Sequence, residues 1–294
     1  MSSRRSFIKS TSILTAGAIF KPPLFNYKKD YIGLQLYTVR DAMQKDPVGT
    51  LEKVAQLGYN SLEGATYTGT QKFYGLDPSG FSALLKKNNL IMPSSHYVLG
   101  EAKMGGQTMK GTILHEWDKA VDDAAAVGIK YMVCAFLFPD ERGGLDKYKT
   151  LAEQLNKAGG RAKKAGIQLC YHNHDFEFQG EGTTLPYDVL LKETDKDLVK
   201  MEIDIYWVNK AGKDPIALFE QHPGRFPLWH VKDMDTTPEK KFAEVGSGSI
   251  DFKNIFKHAD KAGLQYFFVE QDITPGDPFV SIAKSITYIK SNLL

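Results

Sequence analysis

The chain has 294 residues, 42% of them hydrophobic, and no linker, low-complexity tract or short repeat that would divide it into two domains. This length suits a single domain with one large core. The formal charge of +2 is misleading, because Arg4, Arg5, Lys9 and Lys21 lie in the first 26 residues, which contain no acidic residue. The remainder has 33 basic and 35 acidic residues, a net charge of −2, which argues against a nucleic-acid partner.

The N-terminus has the features of an export signal. A twin arginine at residues 4–5 precedes an apolar run over residues 13–20 and a Pro-Pro pair. This order resembles a twin-arginine signal, and the run is too short to span a bilayer. We therefore expect residues 1–26 to be a signal and linker and residues 27–294 to be the folded domain. The protein is then periplasmic or otherwise exported, with no stable membrane span after export. The alternative is a disordered tail with a chance Arg-Arg pair.

Beyond this leader, strand-like and helix-like segments alternate. Short apolar runs predict strands, and apolar residues spaced three or four apart predict helices. The predicted strands lie at residues 31–37, 60–65, 90–98 and 131–136, in a His-rich segment from residue 168, and in three segments that end at Tyr206, Lys232 and Gln271. The predicted helices lie at residues 48–57, 77–87, 115–127, 145–164 and 252–262, with others that begin at Tyr187, Pro215 and Phe279.

This alternation determines the predicted fold. Strands separated by helices imply parallel pairing, and eight such units close most economically into a single (β/α)8 TIM barrel of the α/β class. A doubly wound open sheet is the alternative, but no Gly-x-Gly-x-x-Gly follows the first strand. Asp77 and Pro78 are typical of a helix start. Cys134 and Cys170 fall in separate apolar strands, so we expect buried free thiols.

Ionisable side chains occur at the C-terminal ends of the last four strands. Because side chains of a strand alternate between its faces, residues two apart lie on the same side. Four such pairs follow one another along the chain: His172 with His174, Glu202 with Asp204, His230 with Lys232, and Glu270 with Asp272. Four pairs in succession indicate one shared polar site at the C-terminal ends of the strands, where parallel barrels have their active sites.

A metal ion is the most economical reason to gather His172, Asp204, His230 and Glu270 at one end of a barrel. Two imidazoles and two carboxylates suit Mn²⁺, Mg²⁺, Co²⁺ or Zn²⁺ and argue only against soft copper. Each residue taken alone is more often a helix N-cap or a salt-bridge partner. That interpretation is weaker for four neighbouring strands together, and we predict one divalent metal.

These strand-end segments, in this order, resemble the xylose isomerase-like TIM barrels, a family of sugar (phosphate) isomerases and epimerases, inosose dehydratase and endonuclease IV-type enzymes. The segments are residues 169–174 (Leu-Cys-Tyr-His-Asn-His), 203–207 (Ile-Asp-Ile-Tyr-Trp), 229–233 (Trp-His-Val-Lys-Asp), 245–252 (Val-Gly-Ser-Gly-Ser-Ile-Asp-Phe) and 269–272 (Val-Glu-Gln-Asp). The resemblance covers nearly everything after Tyr31. It implies that Asp204, His230 and Glu270 are metal ligands.

His172 departs from the epimerase pattern, in which a glutamate serves as ligand and base. The Tyr-His-Asn-His form resembles the inosose dehydratase-like branch and related exported keto-sugar lyases. We predict His172 as the ligand and His174 as an acid/base, although either histidine is open as the ligand. The nuclease branch needs a further histidine where this chain has Trp207, and an Asp-x-His where residues 237–242 have none. DNA cleavage is therefore not expected.

Four other residues have two interpretations each. Lys232 stabilises an oxyanion or acts as acid/base, or else it is a salt-bridge partner of Glu202 or Asp204. His96 and Glu63 contact substrate oxygens or make structural hydrogen bonds. Trp207 lies under a sugar ring together with Tyr37, Phe136 and Phe138, or all four only pack. The Gly-Ser-Gly loop at residues 246–248 receives a phosphate, or it simply needs glycine to turn.

The expected reaction is metal-assisted removal of a proton next to a carbonyl of a sugar or cyclitol. Glu270 or His174 takes the proton, and His174 or Lys232 returns one or protonates a leaving group. Return to carbon gives a sugar isomerase or epimerase, which is the activity that the family resemblance favours and that we expect. Loss of a β-substituent gives the alternative at the same site, a dehydratase or lyase acting on a keto-sugar or 3-keto-glycoside. A non-catalytic sugar-binding barrel is the alternative from another class, and a homo-oligomer is left open.

Overall fold

The computed structural model describes residues 30–180 and 182–294, so the predicted export signal in residues 1–26 lies outside the described residues. Twelve strands occur in the described part: β1 Gly33–Gln35, β2 Ser61–Gly64, β3 Ile91–Tyr97, β4 Lys103–Met104, β5 Gln107–Thr108, β6 Tyr131–Cys134, β7 Gln168–His172, β8 Val199–Asp204, β9 Leu228–Val231, β10 Asp233–Met234, β11 Phe242–Ala243 and β12 Tyr266–Val269. Eight of them form a closed barrel in the order β1-β12-β9-β8-β7-β6-β3-β2, and every pairing is parallel. The predicted TIM barrel is confirmed.

Helices follow the barrel strands. The described residues contain α1 Arg40–Lys45, α2 Pro47–Gln56, α3 Pro78–Lys87, α4 Trp117–Val127, α5 Leu145–Lys164, α6 Pro186–Glu193, α7 Ile205–Lys210, α8 Pro215–Gln221, α9 Phe252–Phe256, α10 Ala259–Ala262 and α11 Pro278–Asn292. Short 3-10 helices occupy Leu36–Val39, Pro139–Glu141 and Phe176–Phe178. None of the helices in the described residues is long and apolar enough to cross a membrane.

Asp-Pro pairs start four of these helices. In α2, α3, α8 and α11 the aspartate side chain accepts a backbone N–H of the first turn, and proline occupies the first helical position. The carboxylate satisfies an N–H that has no partner within the helix, and proline has no N–H that needs one. The start predicted from Asp77 and Pro78 is therefore confirmed, with Gly80 N as the donor at 2.7 Å.

The structure differs from the predicted elements in several places. The strand predicted at residues 31–37 is shortened to β1, with a 3-10 helix at Leu36–Val39, and helix α1 was not predicted. The strand predicted to reach Tyr206 ends at Asp204, because Asp204 Oδ1 accepts the Trp207 N–H at 3.1 Å and thereby begins α7. The helix predicted at residues 252–262 is divided into α9 and α10. The two small hairpins, β4–β5 and β10–β11, were not predicted, because two-residue strands have no readable periodicity.

Two different layers fill the barrel interior. Toward the N-terminal ends of the strands lies an apolar cluster of Val133, Cys170, Leu228, Tyr266 and Phe268. A Cβ on Gly33 would collide with the Phe268 ring and the Phe267 carbonyl, so glycine makes room for that aromatic side chain. Two residues after Cys170, Leu228 and Phe268, the ionisable side chains of His172, His230 and Glu270 replace the apolar ones. Both cysteines are buried free thiols, as predicted.

Candidate metal and active site

The four predicted metal ligands, His172, Asp204, His230 and Glu270, lie close together at the C-terminal ends of the strands, and we call them the ligand set. Donor atoms of Asp204, His230 and Glu270 all lie within 4.8 Å of one another. His230 Nδ1 is 2.7 Å from Glu270 Oε2 and 3.9 Å from Asp204 Oδ2. His172 Nε2 is 3.6 Å from Asp204 Oδ2. Four strands thus bring two imidazoles and two carboxylates together, although the ligand assignment stays a prediction.

Lys232 lies among three carboxylates beside the ligand set. Its Nζ is 2.9 Å from Asp204 Oδ2, 2.5 Å from Glu270 Oε2 and 2.8 Å from Asp272 Oδ1. Burial alone favours a neutral amine, but these carboxylates raise the pKa of Lys232 well above its usual value. The side chain is therefore a fixed cation, which favours a role facing negative charge over a role that requires losing its proton.

The charges around Lys232 are suited to a divalent cation. One ammonium faces Asp204, Glu270 and Asp272, so the carboxylates are in excess. Burial raises the pKa of Asp204, against the opposing effect of Lys232, and raises that of Asp272 to about 6. A bound divalent ion would relieve this excess, and mixed imidazole and carboxylate donors are suitable ligands for it.

His174 occupies a different position from His172. Its ring stacks on Phe176 with centroids 5.5 Å apart, meets Phe136 edge-on at 5.1 Å and lies 5.5 Å from Trp207. Its buried Nδ1 has no hydrogen-bond partner among the residues that the structure describes. Burial and the charge of Lys232 lower the pKa of His174 to about 3, so the imidazole is neutral. His174 is not among the groups whose potential metal donor atoms lie within 4.8 Å of one another, and its acid/base role stays a prediction.

A cavity of about 1050 Å³ opens above these residues. All four predicted aromatic wall residues line it, together with His96, and its floor and sides include His172, His174, Lys232, Glu270 and Asp272. Glu63 is placed differently from its predicted substrate contact. Its carboxylate is fully buried and accepts hydrogen bonds from Gln35 Nε2 at 2.8 Å and Ser94 Oγ at 2.5 Å. The structural interpretation of Glu63 fits these contacts better.

Glu63, His96 and Glu202 lie behind the ligand set, and we call them the rear group. Glu202 Oε2 is 2.9 Å from His96 Nε2, 3.0 Å from His172 Nδ1 and 3.3 Å from His230 Nε2. Glu63 Oε2 is 2.5 Å from His230 Nε2 and 3.1 Å from His96 Nε2.

Burial shifts the pKa values of the rear group, and its charges oppose or reinforce those shifts. Burial raises the pKa of Glu202 to about 7, with a further contribution from the Glu63 charge. Burial favours neutral His96, but Glu63 and Glu202 raise the pKa of His96 to about 9.

Sequence reasoning missed most of these rear contacts. The sequence identified Glu202 only as the strand neighbour of Asp204 and as one of two possible salt-bridge partners of Lys232. The structure pairs Lys232 with the other one, Asp204. Gln35 and Ser94 gave no signal, because their importance comes from contacts across the barrel with strands distant in the chain.

The Gly-Ser-Gly loop surrounds the side-chain carboxylate of Asp233. The carboxylate of Asp233 accepts hydrogen bonds from the backbone N–H groups of Gly246, Gly248, Ile250 and Met234, at 2.8 to 3.1 Å. A Cβ on Gly248 would collide with Asp233 Oδ1. The glycine at this position therefore admits a side chain of the protein, which accounts for the motif without a bound phosphate.

Comparisons with known proteins agree with this architecture. Residues 51–291 match the sequence model of the family described as xylose isomerase-like TIM barrel. An inosose dehydratase of Lacticaseibacillus casei is 27% identical over 266 residues, which cover 78% of this chain and 86% of that protein. A crystal structure of a sugar phosphate isomerase/epimerase from Parabacteroides distasonis superposes with a TM-score of 0.76 and 29% identity, covering 90% of this chain and 94% of that one. The IOLI protein, solved with a bound zinc atom, shares the fold with a TM-score of 0.66 at 14% identity, covering 90% of this chain and 99% of that one.

Proposed function

The chain belongs to the xylose isomerase-like TIM barrel family, and from this premise we propose that it is a divalent-metal-dependent enzyme that removes a proton next to a carbonyl of a keto-sugar or cyclitol. The observation that carries the proposal is the ligand set beside a buried, fully paired Lys232 at the mouth of a large cavity.

The site residues have three separate roles in this proposal: metal binding, charge stabilisation and proton transfer. His172, Asp204, His230 and Glu270 would hold the ion, which when bound supplies Lewis-acid stabilisation of negative charge on a substrate oxygen. The Lys232 ammonium adds a fixed positive charge next to them. The imidazole of His174 lines the cavity, so it is placed to exchange a proton with a bound substrate.

We favour elimination as the outcome. The C–H electrons form a C=C bond as the C–O bond at the β carbon breaks. The proton that His174 takes from carbon is delivered to the departing hydroxyl or glycosyl oxygen, which is released as water or alcohol in a dehydration or lyase reaction. Two observations support this choice. His172 stands where the epimerase pattern has a second glutamate, and the inosose dehydratase of L. casei aligns over most of its length. Isomerisation or epimerisation is the second candidate, supported by the similarity to the P. distasonis structure.

One experiment separates these outcomes. The metal-loaded protein is incubated in D₂O with a panel of ketoses, inososes and 3-keto-glycosides, and the products are followed by NMR. Elimination gives an unsaturated product and released water or alcohol. Isomerisation gives deuterium on carbon in a rearranged sugar. Binding of panel sugars with neither exchange nor elimination would overturn the proposal in favour of a sugar-binding barrel.

A further inference from the structure

Each of the two histidines of the ligand set faces carboxylates through both of its ring nitrogens. His172 Nδ1 is 3.0 Å from Glu202 Oε2, whereas its Nε2 is 3.6 Å from Asp204 Oδ2. A neutral imidazole has one N–H and one lone pair, so the nitrogen that donates to a carboxylate leaves the other free to act as a ligand. When Nδ1 of His172 donates to Glu202, the Nε2 lone pair is left free on the side of Asp204.

His230 is arranged in the opposite sense. Its Nε2 is 2.5 Å from Glu63 Oε2, and its Nδ1 is 2.7 Å from Glu270 Oε2. Glu63 is a fixed acceptor, because Gln35 and Ser94 both donate hydrogen bonds to its carboxylate, which is fully buried. When Nε2 of His230 donates to Glu63, the Nδ1 lone pair is left free on the side of Glu270.

We propose that Glu202 and Glu63 are positioning residues that fix opposite tautomers of the two histidine ligands, so that the ion is bound by Nε2 of His172 and by Nδ1 of His230. This inference rests on the proposed metal site. Carboxylates that hold the second nitrogen of a ligating histidine orient its ring and increase its basicity.

The structure offers one competing arrangement, and charge decides against it. A second group of donor atoms within 4.8 Å of one another belongs to His96, His172, Glu202 and His230. An ion held there would be bound by Nδ1 of His172 and Nε2 of His230, the nitrogens that face Glu202. Both arrangements share His172 and His230. The rear group adds two carboxylates and the His96 imidazole, whereas the other side adds three carboxylates and the Lys232 ammonium. Around Lys232 the carboxylates outnumber the cation, so the divalent ion is more strongly attracted there.

The nitrogen atoms can be identified directly. The protein is labelled with ¹⁵N-histidine, loaded with Zn²⁺, and examined by long-range ¹H–¹⁵N correlation spectroscopy, with peaks assigned from single histidine variants. We expect His172 to show a protonated Nδ1 and a metal-bound Nε2, and His230 to show a protonated Nε2 and a metal-bound Nδ1. The reverse pattern would place the ion in the rear group, and the same nitrogen used by both residues would also overturn the inference.

Zn²⁺ affinity provides an independent test, measured by competition with a chromophoric chelator. We expect Glu202→Gln and Glu63→Gln each to weaken binding by about 10- to 100-fold. The matched control is Glu141→Gln, since Glu141 is also buried but accepts backbone N–H groups of Glu101, Ala102 and Phe138 instead of imidazoles. Losses no larger than that of the control would contradict the inference.

Failure of the inference and failure of the proposed function give different results. Both readouts report metal binding without any substrate, so an unreactive substrate panel leaves them unaffected. If the wild-type protein bound no Zn²⁺, the metal site itself would be wrong. If it bound Zn²⁺ tightly with the reverse nitrogen pattern, the metal-dependent function would stand and only the role given to Glu202 and Glu63 would fall.

Discussion

The two layers inside the barrel differ in polarity although the same strands contribute to both, one layer being apolar and the other ionisable. On β7, β9 and β12 the inward residues change from Cys170, Leu228 and Phe268 to His172, His230 and Glu270 within two positions. The first layer is stabilised by removing apolar surface from water. The second layer gathers charges that burial disfavours unless they are paired. Stability and chemistry are therefore separated by two residues along these three strands, and each layer can be disturbed alone.

The largest effect is expected in the polar layer. Asp204→Asn keeps an N-cap for α7, because asparagine also accepts a backbone N–H, but it removes the charge next to the ligand set. We expect turnover to fall by at least about a thousandfold and Zn²⁺ binding to be lost, without unfolding. Activity and metal content are measured on the same sample. Full turnover in this variant would refute the site assignment.

The matching change in the apolar layer is Phe268→Ala. Removing this buried ring should lower the free energy of unfolding by about 3–5 kcal/mol through lost burial and the cavity left behind. We expect Zn²⁺ affinity of the folded variant to change far less than in Asp204→Asn. Chemical denaturation and metal titration test this, and a loss of affinity as large as that of the polar variant would mean that the layers are not separable.

Lys232→Met should have two effects of opposite sign within the polar layer. Removing the ammonium leaves Asp204, Glu270 and Asp272 without their cation, so Zn²⁺ should bind more tightly. Turnover should nevertheless fall by about a hundredfold, because a fixed positive charge near the reacting oxygen is lost. Calorimetry and steady-state kinetics measure the two effects. Weaker metal binding would show that Lys232 supports the ligand set instead of competing with it.

The smallest effect is the stabilisation that the metal gives to the whole fold. An ion that binds only the folded state at ten times its dissociation constant stabilises it by about 1.4 kcal/mol. Adding Zn²⁺ should therefore raise the melting temperature of the wild type and of Phe268→Ala, and chelation should reverse the rise. Asp204→Asn serves as the control and should show no shift. A comparable shift in that variant would indicate binding elsewhere on the protein.

The sequence allowed the barrel and the residues facing the cavity to be predicted, because both depend on short periodicities. The helix at residues 145–164 and the strand-end pairs follow from spacing alone. The early end of β8 was missed, since Asp204 acts both as a helix cap and as a member of the ligand set, and a strand pattern gives no sign of the first role. The network behind the ligand set was missed because Gln35 and Ser94 meet Glu63 only after the barrel closes.

The Gly-Ser-Gly loop has a consequence for selectivity. Its amide groups form a concave seat of the kind that holds phosphate groups elsewhere, but Asp233 is already in that seat. A phosphorylated substrate reaching this loop would meet a resident negative charge and no free donors from these amides. The loop therefore offers none of these amide donors to a phosphate ester, and unphosphorylated sugars are the compounds with which to begin a substrate screen.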